Sequence, residues 1–253
     1  MDSGTVRPIV LLGCDGRFVV MPGRGMQQIS GLGVVDTDRL AHAEAGSKIT
    51  VAGKDFVVLD ASLGDILICM RRGAQIITPK DASQIALGCS IGAGSSVLEV
   101  GAGSAGLTLV LAHIVGDGGR IVSYESNPKH AKVAATNLEN SGLAACVELR
   151  EADAATCNEI GIYDAVVIDM PEPWKILDGV TRALKPGGYI CAYLPTMNQA
   201  ETVIKAMREK GYSDTHVLEN IQREIVVGEG GTRPSFDTLG HTGYLCFGRK
   251  FRV

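Results

Sequence analysis

The stretch VLEVGAGSAGLTLVLA, residues 97–112, decides how the rest of the sequence is read. A short apolar run leads into Gly101-x-Gly103-x-x-Gly106, and a leucine-rich segment follows. Glycines between a strand and a helix let the backbone bend sharply and let a ligand approach it with no Cβ in the way. Beyond the turn, Leu107, Val110, Leu111 and Ile114 recur at helical spacing, so a helix over 104–115 has one face to pack on a sheet. Glu125 closes the next strand-like run, RIVSYE, 19 residues after Gly106. A carboxylate in that position accepts both hydroxyls of a ribose, so turn and acid together point to an adenosine-containing ligand. The blander reading is a packing cluster of glycines beside an incidental acid.

A dinucleotide and S-adenosylmethionine both fit that description. A dinucleotide needs a pyrophosphate seat at the helix N-terminus, and a dehydrogenase commonly carries this unit near its start, with a substrate domain after it. Here the unit begins at residue 96 and little chain remains for a further domain. Glu99, two residues before the first glycine, burdens a pyrophosphate with negative charge but suits a sulfonium ligand that carries an amino group. The methyl donor is favoured.

Composition agrees with a folded protein. The 253 residues are 45% hydrophobic and 21% charged, enough for one large core or one large and one small. No apolar run approaches the roughly 20 residues of a membrane span, and MDSGTVRPIVLLGCDGR lacks the basic flank and small-residue cleavage site of a secretory leader. A cytoplasmic protein without membrane contact is expected. Seven scattered cysteines never form Cys-x-x-Cys, and the five histidines show no ligand spacing, so neither a disulfide framework nor a metal site is expected. The formal charge of −4 argues against a chain that coats nucleic acid generally, yet leaves room for a local cationic track.

The texture changes near residue 65. Before it lie RPIVLLG, RFVVMP, GVVDT, SKITVAG and DFVVLDA, short β-type runs divided by Gly, Asp and Pro, which read as a small β-barrel or sandwich over 1–65. From 66 to 253, apolar strands alternate with helical segments, the pattern of an α/β domain with a mostly parallel sheet. Its first helix is expected to start at Asp81, with Gln84 completing a capping box. Strands follow at 96–100, at 120–125, in CVELREAD, in YDAVVIDM and in YICAYLP. Helices are expected from Asn127-Pro128 to Gly142, over 175–184 and over 198–210, with two further β-like runs near 215–227 and 242–249.

Strand ends carry the candidate chemistry, because ligands of open α/β sheets lie beyond the carboxyl ends of the strands. Asp153 follows the third strand and suits an adenine amino group, though an Asp there also serves as an ordinary cap. Asp169 follows the buried-looking AVVI and leads the proline-stiffened loop DMPEPW, which places an acid on the ligand crevice; capping the Trp174 helix is its bland alternative. Trp174 suits stacking on a base, but burial under its loop is the favoured reading.

Six ordered blocks extend the argument. RRGAQIITPKDAS (71–83), VLEVGAGSAGLT (97–108), SYESNPKHAKVAATN (123–137), IDMPEPWKIL (168–177), LKPGGYICAYLPTMNQ (184–199) and RPSFDTLGHTGYL (233–245) resemble the tRNA adenine N1-methyltransferase family, whose members form 1-methyladenosine in the T-loop. The resemblance covers residues 66–253, and the small β-rich N-terminal part looks similar as well. It implies a Rossmann-like class I methyltransferase domain, with a mostly parallel seven-stranded sheet that includes a C-terminal antiparallel strand, preceded by a small all-β domain. It also implies S-adenosylmethionine as cofactor, tRNA as partner, adenine 58 with or without its neighbour 57 as target, and a homotetramer.

Carried over by block, the resemblance assigns Gly101, Gly103, Ser104, Ala105, Gly106 and Leu107 to the cofactor turn, with the last four on the methionine side. Glu125 takes the ribose, His130 a supporting contact and Asp153 the adenine. Asp169 becomes the catalytic acid or base beside the cofactor, with Tyr193 in the base pocket. Arg233 and His241 serve substrate or subunit contacts. Thr78 stands where the family often has an aromatic residue or histidine, which leaves a stacking role to Tyr193 or Trp174. Arg71, Arg72 and Lys80 form a local basic group for tRNA phosphates, with Lys175 beside the Asp169 loop; each also reads as a solvated surface charge. Two rivals remain: a methyltransferase for a small molecule or protein, and a silent RNA-binding partner subunit.

Overall fold

The computed structural model describes residues 7–251; residues 1–6 of the stretch read for a leader lie outside that range. The N-terminal part holds β1 (Ile9–Gly13), β2 (Gly16–Val20), β3 (Met26–Ile29), β4 (Gly33–Asp36), β5 (Lys48–Val51) and β6 (Lys54–Asp60). Four of them form one antiparallel sheet in the order β2-β1-β6-β5, while β3 and β4 make a separate hairpin. Phe56, Leu11, Val58 and Leu40 bury a small core of their own beneath them.

A helix the periodicity does not predict follows directly. It is α1 (Leu63–Cys69), set by a capping box in which Ser62 and Asp65 satisfy each other's backbone N–H groups. The next, α2 (Pro79–Gly88), starts two residues before the expected Asp81, because Pro79 presets the first helical φ and Thr78 becomes the cap position. Asp81 is instead fully buried.

The larger sheet is assembled from β7 (Ser96–Val100), β8 (Arg120–Glu125), β9 (Val147–Glu151), β10 (Tyr163–Ile168), β11 (Leu184–Leu194), β12 (Tyr212–Glu219) and, after the outlying hairpin of β13 (Ile225–Gly228) and β14 (Gly231–Pro234), β15 (Tyr244–Lys250). Its order is β12-β15-β11-β10-β7-β8-β9, and β15 alone runs antiparallel to its neighbours. The helices α3 (Gly106–Val115), α4 (Pro128–Ser141), α5 (Leu177–Ala183) and α6 (Met197–Glu209) complete the layers, and two apolar clusters line the sheet's two faces. Both neighbours of β7 are entered from it in sequence on opposite sides, β8 first and β10 later. The chain therefore reverses its winding between β7 and β10, and an open α/β sheet has its ligand crevice at the carboxyl ends of such strands. Among the described residues, no helix is long and apolar enough to cross a membrane.

Candidate active site

A cavity of about 380 Å³ opens at that switch point. Gly101 and Gly103 form its floor beside Val100, and Glu125, Asp153 and Asp169 reach it from the ends of β8, β9 and β10. Opposite, Ala74 and Gln75 come from the segment linking α1 to α2, and His130 from the first turn of α4. Three carboxylates face this space, and among the described residues no Lys or Arg lines it. A pyrophosphate is repelled there, whereas a ligand with a sulfonium and an ammonium group is attracted.

The glycine turn is held by its own acids. Glu125 accepts from Gly103 N and from Asn127 N, each at 2.8 Å, so the carboxylate is locked between the turn and the start of α4 while each oxygen keeps a lone pair for a ligand hydroxyl. Ala105 follows in the left-handed region, with φ at 65°, and starts α3. The first N–H groups of α3 lack intrahelical partners, as at any helix start. Below the turn, Glu99 is buried and accepts from Thr108 and Ser123 at 2.7 and 2.5 Å, both on the same oxygen. Its other oxygen has no partner. Burial, opposed by those two hydroxyls, pushes its carboxyl up to about 7.

Asp169 is the least satisfied acid of the cavity. No hydrogen bond offsets its desolvation, and the nearby Glu125 charge adds to it, so its carboxyl is raised to about 7. Such a group is poised to exchange a proton near neutral pH. Tyr193 occupies the position next to it on the neighbouring strand: Ile168 and Ala192 form the last registered pair of β10 and β11, and Asp169 and Tyr193 come next. Tyr193 is half-buried and does not line the cavity itself, yet it lies near enough to feel the charge of Asp169.

Several expected contacts fall elsewhere. Ser104, Ala105, Gly106 and Leu107 are buried behind the cavity, outside its lining. The Ser104 hydroxyl accepts from Gly73 N and Ala74 N and donates to Ala74 O, pinning the 71–77 segment onto the glycine turn. Asn137, to which the sequence assigns no role, does the same from α4: it bridges both backbone groups of Arg71 and the Ser104 carbonyl at 2.8–2.9 Å. Asp153 spends one oxygen capping the turn at Ala155 N, its bland role, while facing the cavity. Trp174 packs against the core below its loop. Lys175 pairs with Glu172 at the surface.

The basic group divides. Arg71 and Arg72 are exposed. Lys80 is different: its ammonium donates to Asp81 Oδ1, to Thr242 Oγ1 and to Asn220 O at 2.8, 2.7 and 2.5 Å. All three of its N–H groups are used, so the expected phosphate contact has no donor left. Arg233 lies on the outlying hairpin, stacked over Phe236, and does not line the cavity. His241 bridges Glu219 and Pro195 O at 2.6 and 2.9 Å, and those partners raise its pKa.

A glycine turn at the switch point, acids on successive strand ends and a single antiparallel strand beside β11 define a Rossmann-like methyltransferase. Comparison with known proteins narrows the class. The family described as tRNA methyltransferase complex GCD14 subunit matches residues 66–230. The chain is 31% identical over 245 residues to the tRNA (adenine(57)-N(1)/adenine(58)-N(1))-methyltransferase TrmI of Methanocaldococcus jannaschii, covering 86% of each. It is 34% identical over 253 residues to the tRNA (adenine(58)-N(1))-methyltransferase TrmI of Thermus thermophilus, covering 97% of this chain and 98% of that one. Among solved structures, a SAM-dependent O-methyltransferase from Thermotoga maritima superposes with a TM-score of 0.81 at 30% identity, over 99% of this chain and 95% of the other. The chain belongs to the GCD14 family.

Proposed function

We propose that the protein transfers a methyl group from S-adenosylmethionine to N1 of adenine 58 in the T-loop of tRNA; the names of its TrmI relatives state methylation of tRNA adenine 58 at N1 for them. The observation that carries this reading is the cavity itself, three strand-end carboxylates around a glycine turn with no cation among them. Those residues fit the donor: Glu125 offers oxygens to a ribose diol, Asp153 to an adenine amino group, and Glu99 below holds a carboxylate oxygen with no partner. When bound, S-adenosylmethionine supplies a methyl group already activated by the sulfonium charge.

The protein's own residues then provide alignment and a proton acceptor. Positioning of two reactants is worth about 7–11 kcal/mol of barrier. Asp169 accepts a hydrogen bond from the exocyclic N6 amino group of the target, which raises the nucleophilicity of N1. Methylation at N1 leaves the base cationic, and the Asp169 carboxylate takes the N6 proton. Since N1 lies on the pairing edge, the target nucleotide must leave its stack at a cost of a few kcal/mol, which Arg71 and Arg72 offset through the tRNA backbone. The enzyme acts in the cytoplasm as a homotetramer; the exposed apolar side chains of the outlying hairpin, Ile225 and Val227 among them, and Phe236 just beyond it supply surface for subunit contact.

Incubation with labelled S-adenosylmethionine and unmodified tRNA, followed by digestion, tests the reading. 1-Methyladenosine in the T-loop supports it, and the digest separates position 58 from 57. Label on a small molecule or protein with none on tRNA overturns it.

A further inference from the structure

The last block of the sequence, HTGY at 241–244, returns to the cleft from an unexpected direction. Asp81 is completely buried on α2 and holds three donors: Lys80 Nζ at 2.8 Å, Thr242 Oγ1 at 2.7 Å and Thr78 Oγ1 at 3.0 Å. Thr242 is therefore fixed on both sides, donating to Asp81 and accepting from Lys80. The next residue, Gly243, lies directly under the phenol of Tyr193. A Cβ built on Gly243 would stand 2.7 Å from Tyr193 Cε2 and 2.8 Å from its hydroxyl oxygen, far inside van der Waals contact. Nothing in the backbone of Gly243 itself demands glycine, since its φ is not in the left-handed region. What demands it is the ring above.

We infer that Gly243, held in place by Thr242 and the buried Asp81, is a positioning residue of the transferase: its bare Cα is the seat that sets Tyr193 beside Asp169 for the incoming adenine. The inference rests on the adenine reading of the cleft and adds the residues that aim Tyr193 at its edge. Burial, with the charges of Asp81 and Asp169 nearby and opposed by the Thr242 hydroxyl, pushes the phenol's pKa up to about 12. Tyr193 thus stays protonated and neutral, compatible with the base it faces. The ring is anchored from β15's approach, while Asp169 is anchored from β7 and β10. Two separate parts of the chain thereby set the ring and the acid on adjacent strand positions.

Gly243→Ala tests this cleanly. The obstructed atoms belong to the far end of a rotatable side chain, so the ring moves and the fold holds. Expected are an unchanged S-adenosylmethionine affinity by calorimetry, an unchanged melting temperature, and kcat/KM for tRNA at least tenfold lower. In a Tyr193→Ala background, the same Gly243→Ala change should have no further effect, because the ring it displaces is gone. A full, additive loss in that background assigns Gly243 a merely structural role and overturns the inference. A readout independent of activity is the spectrum of protein labelled with 13Cζ-tyrosine. The Tyr193 resonance, assigned by its loss in Tyr193→Phe, should shift in Gly243→Ala. A stationary resonance sinks the seat even in an active enzyme, whereas a shifted resonance with no tRNA methylation by the unaltered protein leaves the seat standing and removes the adenine reading instead.

Discussion

Gly101 and Asp169 meet backbone to backbone where β7 and β10 end. Asp169 N donates to Val100 O at 2.8 Å, and a Cβ on Gly101 would overlap the Asp169 carbonyl oxygen and stand 3.0 Å from its carbon. Gly101 also has φ at +90°, a region that L side chains rarely enter. The floor of the glycine turn and Asp169 are therefore one rigid unit. Gly101→Ala should cost more than about 1 kcal/mol from its backbone alone, with the steric overlap in addition. It should also abolish measurable S-adenosylmethionine binding. Thermal unfolding and calorimetry on the variant decide, and normal binding would show that the two strand ends move independently.

Asp169 must be ionised to accept a proton, and its carboxyl is raised to about 7. The rate, followed as kcat/KM for tRNA, should climb through neutral pH and level off above it. Asp169→Asn should remove that limb and lower turnover by about 10²–10⁴, the usual worth of a general base. Cofactor affinity should change far less. A variant that retains near-normal turnover contradicts the assignment.

Glu99 couples stability to pH. Its folded value, about 7, lies above the ordinary 4.5, so the native state holds the proton more tightly than the unfolded chain. Stability is then fully present below about 4.5 and is lost as pH rises through 7, by an amount on the order of 3 kcal/mol for a fully buried group. Glu99→Gln lacks this dependence. Measured by urea unfolding at about pH 5 and pH 8, the variant should gain on the unaltered protein by that order as pH rises. Parallel curves would mean that Glu99 stays charged in the fold.

The basic residues make opposite predictions. A phosphate contact contributes about one unit to the slope of log affinity for tRNA against log salt. Arg71→Ala and Arg72→Ala should each reduce the slope by roughly that amount. Lys80→Ala should leave it unchanged and lower the melting temperature, since it strips one donor from buried Asp81 and frees Asn220 O. A slope that falls with Lys80 would place that ammonium on the nucleic acid after all.

What the sequence made legible was local. The glycine turn, Glu125 and Asp169 each sit at a strand end whose apolar run, breakers and spacing are readable within a few residues, and all three reach the cavity. The role of Lys80 was not legible, because its partners Asn220 and Thr242 are 140 and 162 residues away. Ser104 is assigned to the cofactor only by the resemblance of its block; its hydroxyl is claimed by Gly73 and Ala74, 31 and 30 residues earlier. GVVDT marks β4 and the run near 215–227 reaches into β13, whereas β3 and β14, with only four residues each and weak alternation, are not marked. Helix α1 escaped for its shortness, and only the Ser62–Asp65 pair announced it.

The grip of Lys80 on Asn220 and Thr242 reaches beyond the cleft. Glu219 and Tyr244 face each other across β12 and β15, so the polypeptide between them leaves the sheet and re-enters at the same rung. Both ends of that excursion are moored at one ammonium, through Asn220 O and Thr242 Oγ1. Shortening or recharging it should therefore leave the rung that carries Gly243 back under Tyr193 where it is.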